Sequence, residues 1–184
     1  MRKLIFQVMV SLDGYTEGPN GELDWHNVDE EFNDYAITLL HSVDTLLFGR
    51  KTYEMMAAYW PSPHAVEDDP IVAEHMNTLK KIVCSTTMKR VEWHNSELLN
   101  GNVVEHITQL KQRPGKNIAV LGSCGLMQTL MPHKLVDEYR IITNPTVLGS
   151  GKPLFEGYNE RLSLQHDKAL IFNSGNVLNY YKMP

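Results

Sequence analysis

With 184 residues, 42% of them hydrophobic and 21% charged, the chain is the size of one globular domain that buries a core without disulfide or metal staples. A formal net charge of −5 excludes the basic footprint of a nucleic-acid-binding protein, although local cations and helix N-termini can still hold a phosphorylated ligand. The apolar run at the N-terminus is broken by Gln7 and too short for a signal peptide, and no segment has bilayer-crossing length, so a cytoplasmic protein is expected.

In chain order, short β-rich runs alternate with helical patterns. Lys3 to Val10 reads as the first strand, followed by a turn-rich loop from Asp13 to Asp24 that contains Gly14, Gly18, Pro19, Asn20 and Gly21. Phe32, Tyr35, Ala36, Leu39 and Leu40 recur at helical spacing and predict a helix from about Asp29 to Ser42, with Asp29, Glu30 and Glu31 at its positive end. Thr45 to Phe48 is an apolar strand that ends at Gly49. Lys51 to Tyr59 is a helix stopped by Trp60-Pro61-Ser62-Pro63, and the segment between Pro61 and Pro70 reads as a surface loop. A helix from about Ile71 to Leu79 and a strand from Lys81 to Ser85 come next. They are followed by a helix from about Ile107 to Gln112, a strand from Ile118 to Leu121 and a short helix from Cys124 to Leu130. In the final third, Glu138 to Thr143, Leu162 to Phe172 and Val177 to Lys182 read as strands, the last two joined by Asn173-Ser174-Gly175-Asn176. The expected fold is α/β, a mixed and mostly parallel sheet with an antiparallel C-terminal edge.

One arrangement occurs twice: a buried strand, a tight glycine turn, then a helix. It is found at Leu47-Phe48-Gly49-Arg50-Lys51-Thr52 and at Val120-Leu121-Gly122-Ser123-Cys124-Gly125. In a parallel sheet both turns fall at the carboxyl ends of strands, where ligands bind. Each helix start offers unpaired N–H groups and partial positive charge, which suit phosphate. Arg50 and Lys51 add fixed charge to the first turn and Thr52 a hydroxyl; the second turn is built of small residues. A third strand end, Val83-Cys84-Ser85-Thr86-Thr87, presents hydroxyls, with Lys89 and Arg90 beyond it.

Taken singly, each turn has a plainer explanation. Gly49 and Gly122 fit backbone conformations closed to larger residues, and Arg50 and Lys51 can be a solvated helix start, though cations there oppose the helix dipole. Three such strand ends in one small domain favour a dinucleotide. Neither GxGxxG nor the Walker A pattern is present. The eight histidines include His64 near Glu67, Asp68 and Asp69, but no metal-ligand spacing occurs and no metal is expected. Cys84 and Cys124 form no Cys-x-x-Cys pair and read as free thiols. Cys124 at a helix start could have a lowered pKa, but a small residue lining the turn is the simpler reading. Trp25, Tyr53, Tyr59 and Trp60 are candidates for an aromatic wall, or for core.

Ser11-Leu12-Asp13-Gly14, Asp24-Trp25, Leu47 through Glu54, Leu135-Val136-Asp137-Glu138 and Pro145 through Phe155 occur in an order and spacing that resemble one family. Over nearly its whole length the chain resembles the dihydrofolate-reductase-like superfamily. Within it, the match is to standalone relatives of the C-terminal reductase domain of the bifunctional riboflavin deaminase-reductase. The resemblance implies a three-layer fold, NADPH as cofactor and a homodimer. It places Gly49, Arg50, Lys51 and Thr52 on the NADPH diphosphate and 2′-phosphate end, and Ser85 and Thr86 along the adenosine. Gly122, Ser123, Cys124, Gly125, Leu126 and Met127 would wrap the diphosphate and nicotinamide ribose. The backbone at Met9 and Val10 would face the nicotinamide, and the Asp13 to Asp24 loop would close over ring and substrate. Bound water or Asp13 is the expected proton source, with Asp13, Trp25 and Tyr53 expected against the substrate.

Two departures bear on the substrate. The Gly-Gly pair of dihydrofolate reductases is Gly122-Ser123 here, and Glu30, Glu31 and Asp34 do not match the spacing of their carboxylate on the first helix. The zinc signature of the deaminase half is absent as well. The expected function is therefore NADPH-dependent reduction of a small heterocycle or a carbonyl or imine group, the ribosylaminopyrimidine of riboflavin synthesis among them. The alternatives are an NADPH-binding module without turnover and, third, folate reduction.

Overall fold

The computed structural model describes residues 1–184. β1 (Leu4–Val10) is followed by β2 (Tyr15–Glu17), α1 (Glu30–His41), β3 (Val43–Gly49) and α2 (Arg50–Tyr59). Then come α3 (Pro63–Asp68), α4 (Pro70–Thr78), β4 (Lys80–Cys84), β5 (Ser96–Leu99) and α5 (Val103–Gln112). β6 (Asn117–Leu121) and α6 (Cys124–Leu130) precede β7 (Glu138–Thr143), β8 (Lys152–Pro153), β9 (Gln165–Ile171) and β10 (Val177–Lys182).

Eight strands form one sheet in the order β5-β4-β3-β6-β1-β7-β10-β9. The first six run parallel, and β10 and β9 are added antiparallel at one edge. β2 and β8 pair separately. The pleat sends alternate side chains to opposite faces and so makes two cores. Leu4, Phe6, Val8 and Val10 of β1 pack with Ile118, Val120 and the α5 and α6 residues Ile107, Leu110, Met127 and Leu130. On the other face Ile5 and Met9 pack with Leu46, Phe48 and the α1 and α4 residues Tyr35, Leu39, Leu40, Val72 and Met76. The result is the expected three-layer α/β fold.

Several segments depart from the sequence reading. The stretch between Pro61 and Pro70 contains the helix α3, started by the Ser62 hydroxyl, which accepts from the Ala65 N–H at 3.3 Å, and by Pro63 at the first position. That capping is written in the sequence, but six residues with one buried side chain give no helical periodicity. The loop from Asp13 to Asp24 contains β2, which pairs with β8; the chain on either side of β8 is tied nearby by Leu12 N–H to Thr146 C=O and Leu154 N–H to Gly14 C=O, at 2.7 and 3.0 Å. β5 is a four-residue edge strand, too short to announce itself, that pairs in register with β4. The strand expected over Leu162 to Phe172 is shorter, and its residues are exposed throughout.

Candidate active site

A cavity of about 710 Å³ opens across the carboxyl ends of β4, β3, β6 and β1, within the size range of small-molecule sites. Its floor is made by the strand ends themselves. Gln7, Val8 and Met9 come from β1, Gly49 ends β3, Cys84 ends β4 and Leu121 ends β6.

Helix capping separates this floor from the rest of the molecule. Asp29, Ser62, Asp69 and Asn102 cap α1, α3, α4 and α5 with their side chains. α2 and α6 have no side-chain cap, and both begin at the cavity. At α2 the first-turn N–H groups and the dipole therefore face the cavity with Arg50 and Lys51. Arg50 is partly held by Glu54 at 3.7 Å, and both side chains are half exposed.

The two turns are joined. The Gly49 N–H donates to the Ser123 hydroxyl at 3.0 Å, and the Gly122 N–H donates to the Gln7 carbonyl at 2.8 Å. Gly122 has φ +66°, a left-handed conformation that favours glycine. A Cβ added at Gly122 or Gly125 meets nothing within 4 Å, so both positions leave room for a ligand close to the backbone.

The opposite wall is apolar. Leu23, His26 and Val28 come from the loop before α1, Phe32 from α1 itself, and Met55, Met56 and Trp60 from α2 and its end. The Trp60 indole N–H is spent on the Met56 sulfur at 3.1 Å. Neighbouring bonds fix the loop. The Asn27 N–H donates to Asn144 Oδ1 at 2.9 Å, its side chain donates to the Ser174 carbonyl at 3.2 Å, and the Asn176 amide donates to the Asn27 carbonyl at 2.7 Å. His26 itself sits edge-on to the Trp25 ring, 4.4 Å between centroids. Burial pushes its imidazole down to about 4, so the ring is neutral near pH 7.

The structure brings most of the expected residues together. Met9, Gly49, Arg50, Lys51, Thr52, Ser85, Thr86, Gly122, Ser123, Cys124, Gly125 and Leu126 all line the cavity. Val10 and Met127 do not; both are buried in the core on the α5 and α6 face. Tyr53 is also core: its hydroxyl accepts from the Glu92 and Trp93 N–H groups at 3.1 and 3.0 Å. Trp25 turns its indole N–H to the Glu22 carbonyl at 3.0 Å and stands behind His26 rather than in the wall. Of the four aromatic candidates Trp60 alone lines the cavity, and Tyr59 is exposed.

Asp13 is corrected as proton source. Its carboxylate accepts from the Ser11 hydroxyl at 2.7 Å and from the Gly149 and Leu148 N–H groups at 2.8 and 3.1 Å, outside the cavity. Those bonds, the Ser11 one foremost, hold its carboxyl below the ordinary range. It anchors a loop in ionised form. The Cys124 thiol donates to the Gly122 carbonyl at 3.3 Å, and burial raises its pKa, the reverse of an activated thiol.

Sequence reasoning missed His26, Val28 and Phe32. Val28 precedes the Asp29 cap and Phe32 lies in the first turn of α1, and both line the cavity. It also missed Glu17 and Lys152, which meet at 3.9 Å where β2 pairs with β8. Their contact depends on strands 135 residues apart, and nothing local announces it.

Comparison with known proteins bears on the family and the fold. The family model for the RibD C-terminal domain matches residues 2–178. The chain is 35% identical over 178 residues to the uncharacterised protein YyaP of Bacillus subtilis, covering 96% of this chain and 92% of that one. Among solved structures, a protein of Shewanella sp. PV-4 assigned to riboflavin biosynthesis superposes with a TM-score of 0.77 at 27% identity, over 99% of both chains. The fold is shared with the bifunctional deaminase and 5-amino-6-(5-phosphoribosylamino)uracil reductase of Thermotoga maritima, TM-score 0.71 at 13% identity, over 100% of this chain and 57% of that one. It is shared too with Enterococcus faecalis dihydrofolate reductase, solved with NADP(H), TM-score 0.59 at 17% identity, over 98% and 95%. With a fold like theirs and a family match across nearly its whole length, the chain belongs to the RibD C-terminal domain family.

Proposed function

We propose that this protein is an NADPH-dependent reductase of a small flat heterocycle or of a carbonyl or imine group. The observation that carries the reading is that the two uncapped helix starts meet at one cavity, with Arg50 and Lys51 on the first. When bound, NADPH supplies the hydride. The α2 N-terminus with Arg50, Lys51 and Thr52 holds phosphate, and Gly122 and Gly125 let a diphosphate approach the backbone. The β1 end at Met9 supports the nicotinamide, and the wall from Leu23 to Phe32 keeps water from it. Glu17 is the sole carboxyl lining the cavity and pairs with Lys152, so the substrate's proton comes from water.

The absence of a free carboxyl from the cavity also favours a second reading, a module that binds NADPH without turnover. Oxidation of bound NADPH by any carbonyl or imine substrate decides against it. Folate reduction is the weaker reading, because Glu30 and Asp34 point to solvent and Glu31 accepts from the Asn173 N–H. The same proposal includes a cytoplasmic homodimer, in which the exposed edge strand β9 meets a second copy; sedimentation at micromolar concentration checks the dimer.

The test of the cofactor is calorimetric titration with NADPH and NADH, on the protein and on Arg50→Ala. NADPH binding preferred over NADH and weakened at least fivefold by the substitution is expected. Binding of neither nucleotide would overturn the reading.

A further inference from the structure

We propose that the substrate is an uncharged, flat and largely apolar ring, seated against Phe32, Val28 and Trp60 and hydrogen-bonded by the His26 imidazole, and that it carries no phosphate. This rests on the NADPH reading and narrows it. It sets the protein apart from a reductase of a phosphoribosyl compound, the activity in the Thermotoga protein's name.

The charge inventory is the first argument. Three cations line the cavity: Arg50, Lys51 and Lys152. Arg50 and Lys51 stand at the start of α2, where the cofactor's phosphates need them. Lys152 faces Glu17, and both act electrostatically on Cys124 at the start of α6. The wall formed by Leu23, His26, Val28, Phe32, Met56 and Trp60 carries no cation. A phosphate placed there would leave water without a counter-charge, which is strongly unfavourable in an apolar setting.

The second argument is an orphaned atom. His26 Nε2 is closed off from water and has no hydrogen-bond partner. Leaving a buried polar atom unpaired costs about 1–3 kcal/mol, and a ligand that pairs with it recovers that cost. The loop around it is held by the three bonds of Asn27, so the ring is positioned rather than free. His26 and Phe32 line the same cavity, so a ring carbonyl or N–H seated there is the partner assigned to Nε2. A neutral imidazole can donate or accept one such bond but cannot neutralise an anion.

Isatin and isatin-5-sulfonate are a matched pair of flat dicarbonyl rings that differ by one anionic group. Both are titrated calorimetrically into protein saturated with NADP⁺ and into the free protein. The proposal expects isatin to bind at least tenfold tighter than the sulfonate. His26→Ala should weaken isatin about tenfold and leave NADP⁺ affinity within twofold, while His26→Gln restores most of the loss. Val28→Arg, at an exposed position on the cavity wall, should raise sulfonate affinity at least fivefold. Equal or tighter binding of the sulfonate by the unaltered protein, or NADP⁺ binding with neither ring bound, overturns the proposal. Absent NADP⁺ binding overturns the cofactor reading instead, and the preference between the two rings on free protein still decides this one.

Discussion

Gly49 and Ser123, 74 residues apart in the chain, are joined where their strands end: the glycine N–H donates to the serine hydroxyl at 3.0 Å. Ser123 is buried, so the bond is shielded from water. The bond locks the two turns that begin α2 and α6 into one unit.

Ser123→Ala should therefore cost about 1–2 kcal/mol of stability, the usual result of leaving a buried N–H unpaired. Urea unfolding measures it. NADPH affinity should fall severalfold in the same variant, because the α2 start loses its fixed position. Unchanged stability would mean that the Gly49 N–H finds another partner.

Tyr53 separates a structural post from a substrate wall. Tyr53→Phe removes the acceptor for the Glu92 and Trp93 N–H groups and should destabilise by about 1–3 kcal/mol. NADPH and isatin affinities should stay within twofold. A selective loss of isatin binding would return Tyr53 to the site.

Asn144 is fully buried and accepts from Asn27 while its own amide donates to the Val10 carbonyl at 3.3 Å. Asn144→Ala breaks the link between the His26 loop and the end of β1. Amide hydrogen exchange at Asn27 should accelerate at least tenfold, with exchange in β6 changed far less. Equal acceleration in both would show global rather than local loosening.

The His26 ring gives the fold a pH dependence with a definite sign. Its pKa is about 4 in the folded protein and 6.5 in its absence, so between those values the unfolded chain holds more protons. Its contribution to stability is complete above about pH 6.5 and is lost as pH falls toward 4. The stability difference between the protein and His26→Gln, measured by urea unfolding from pH 7 to pH 4.5, should shift against the unaltered protein as acid is added. Using the difference cancels the carboxylates that titrate in both. A flat difference would mean that acid protonates the ring without cost.

The central strands were legible because burial on both faces demands continuous apolar runs, as in Leu46-Leu47-Phe48 and Ile118 through Leu121. The glycine-turn side of the cavity was legible for a related reason. A strand end, a glycine and a helix start are adjacent in the chain, so Gly49 to Thr52 and Gly122 to Leu126 declare themselves locally. The apolar wall did not, because Val28 and Phe32 are also the spacing of an ordinary core face. Glu17 and Lys152, and the Asn27 bonds to Asn144 and Asn176, are products of tertiary pairing. Asp13 misled for a different reason. The motif marked an important carboxylate, but its use is to accept two backbone N–H groups beyond β7.

The Asn27 bonds also set an order of assembly. The loop that positions His26 is synthesised early, yet its fasteners at Ser174 and Asn176 lie 147 and 149 residues further along. On the ribosome, both glycine turns and the start of α2 are complete while that loop has only Asn144 to hold it. A nascent chain halted before the β9–β10 hairpin emerges would have both glycine turns but only one of the three bonds that hold Asn27, the one to Asn144.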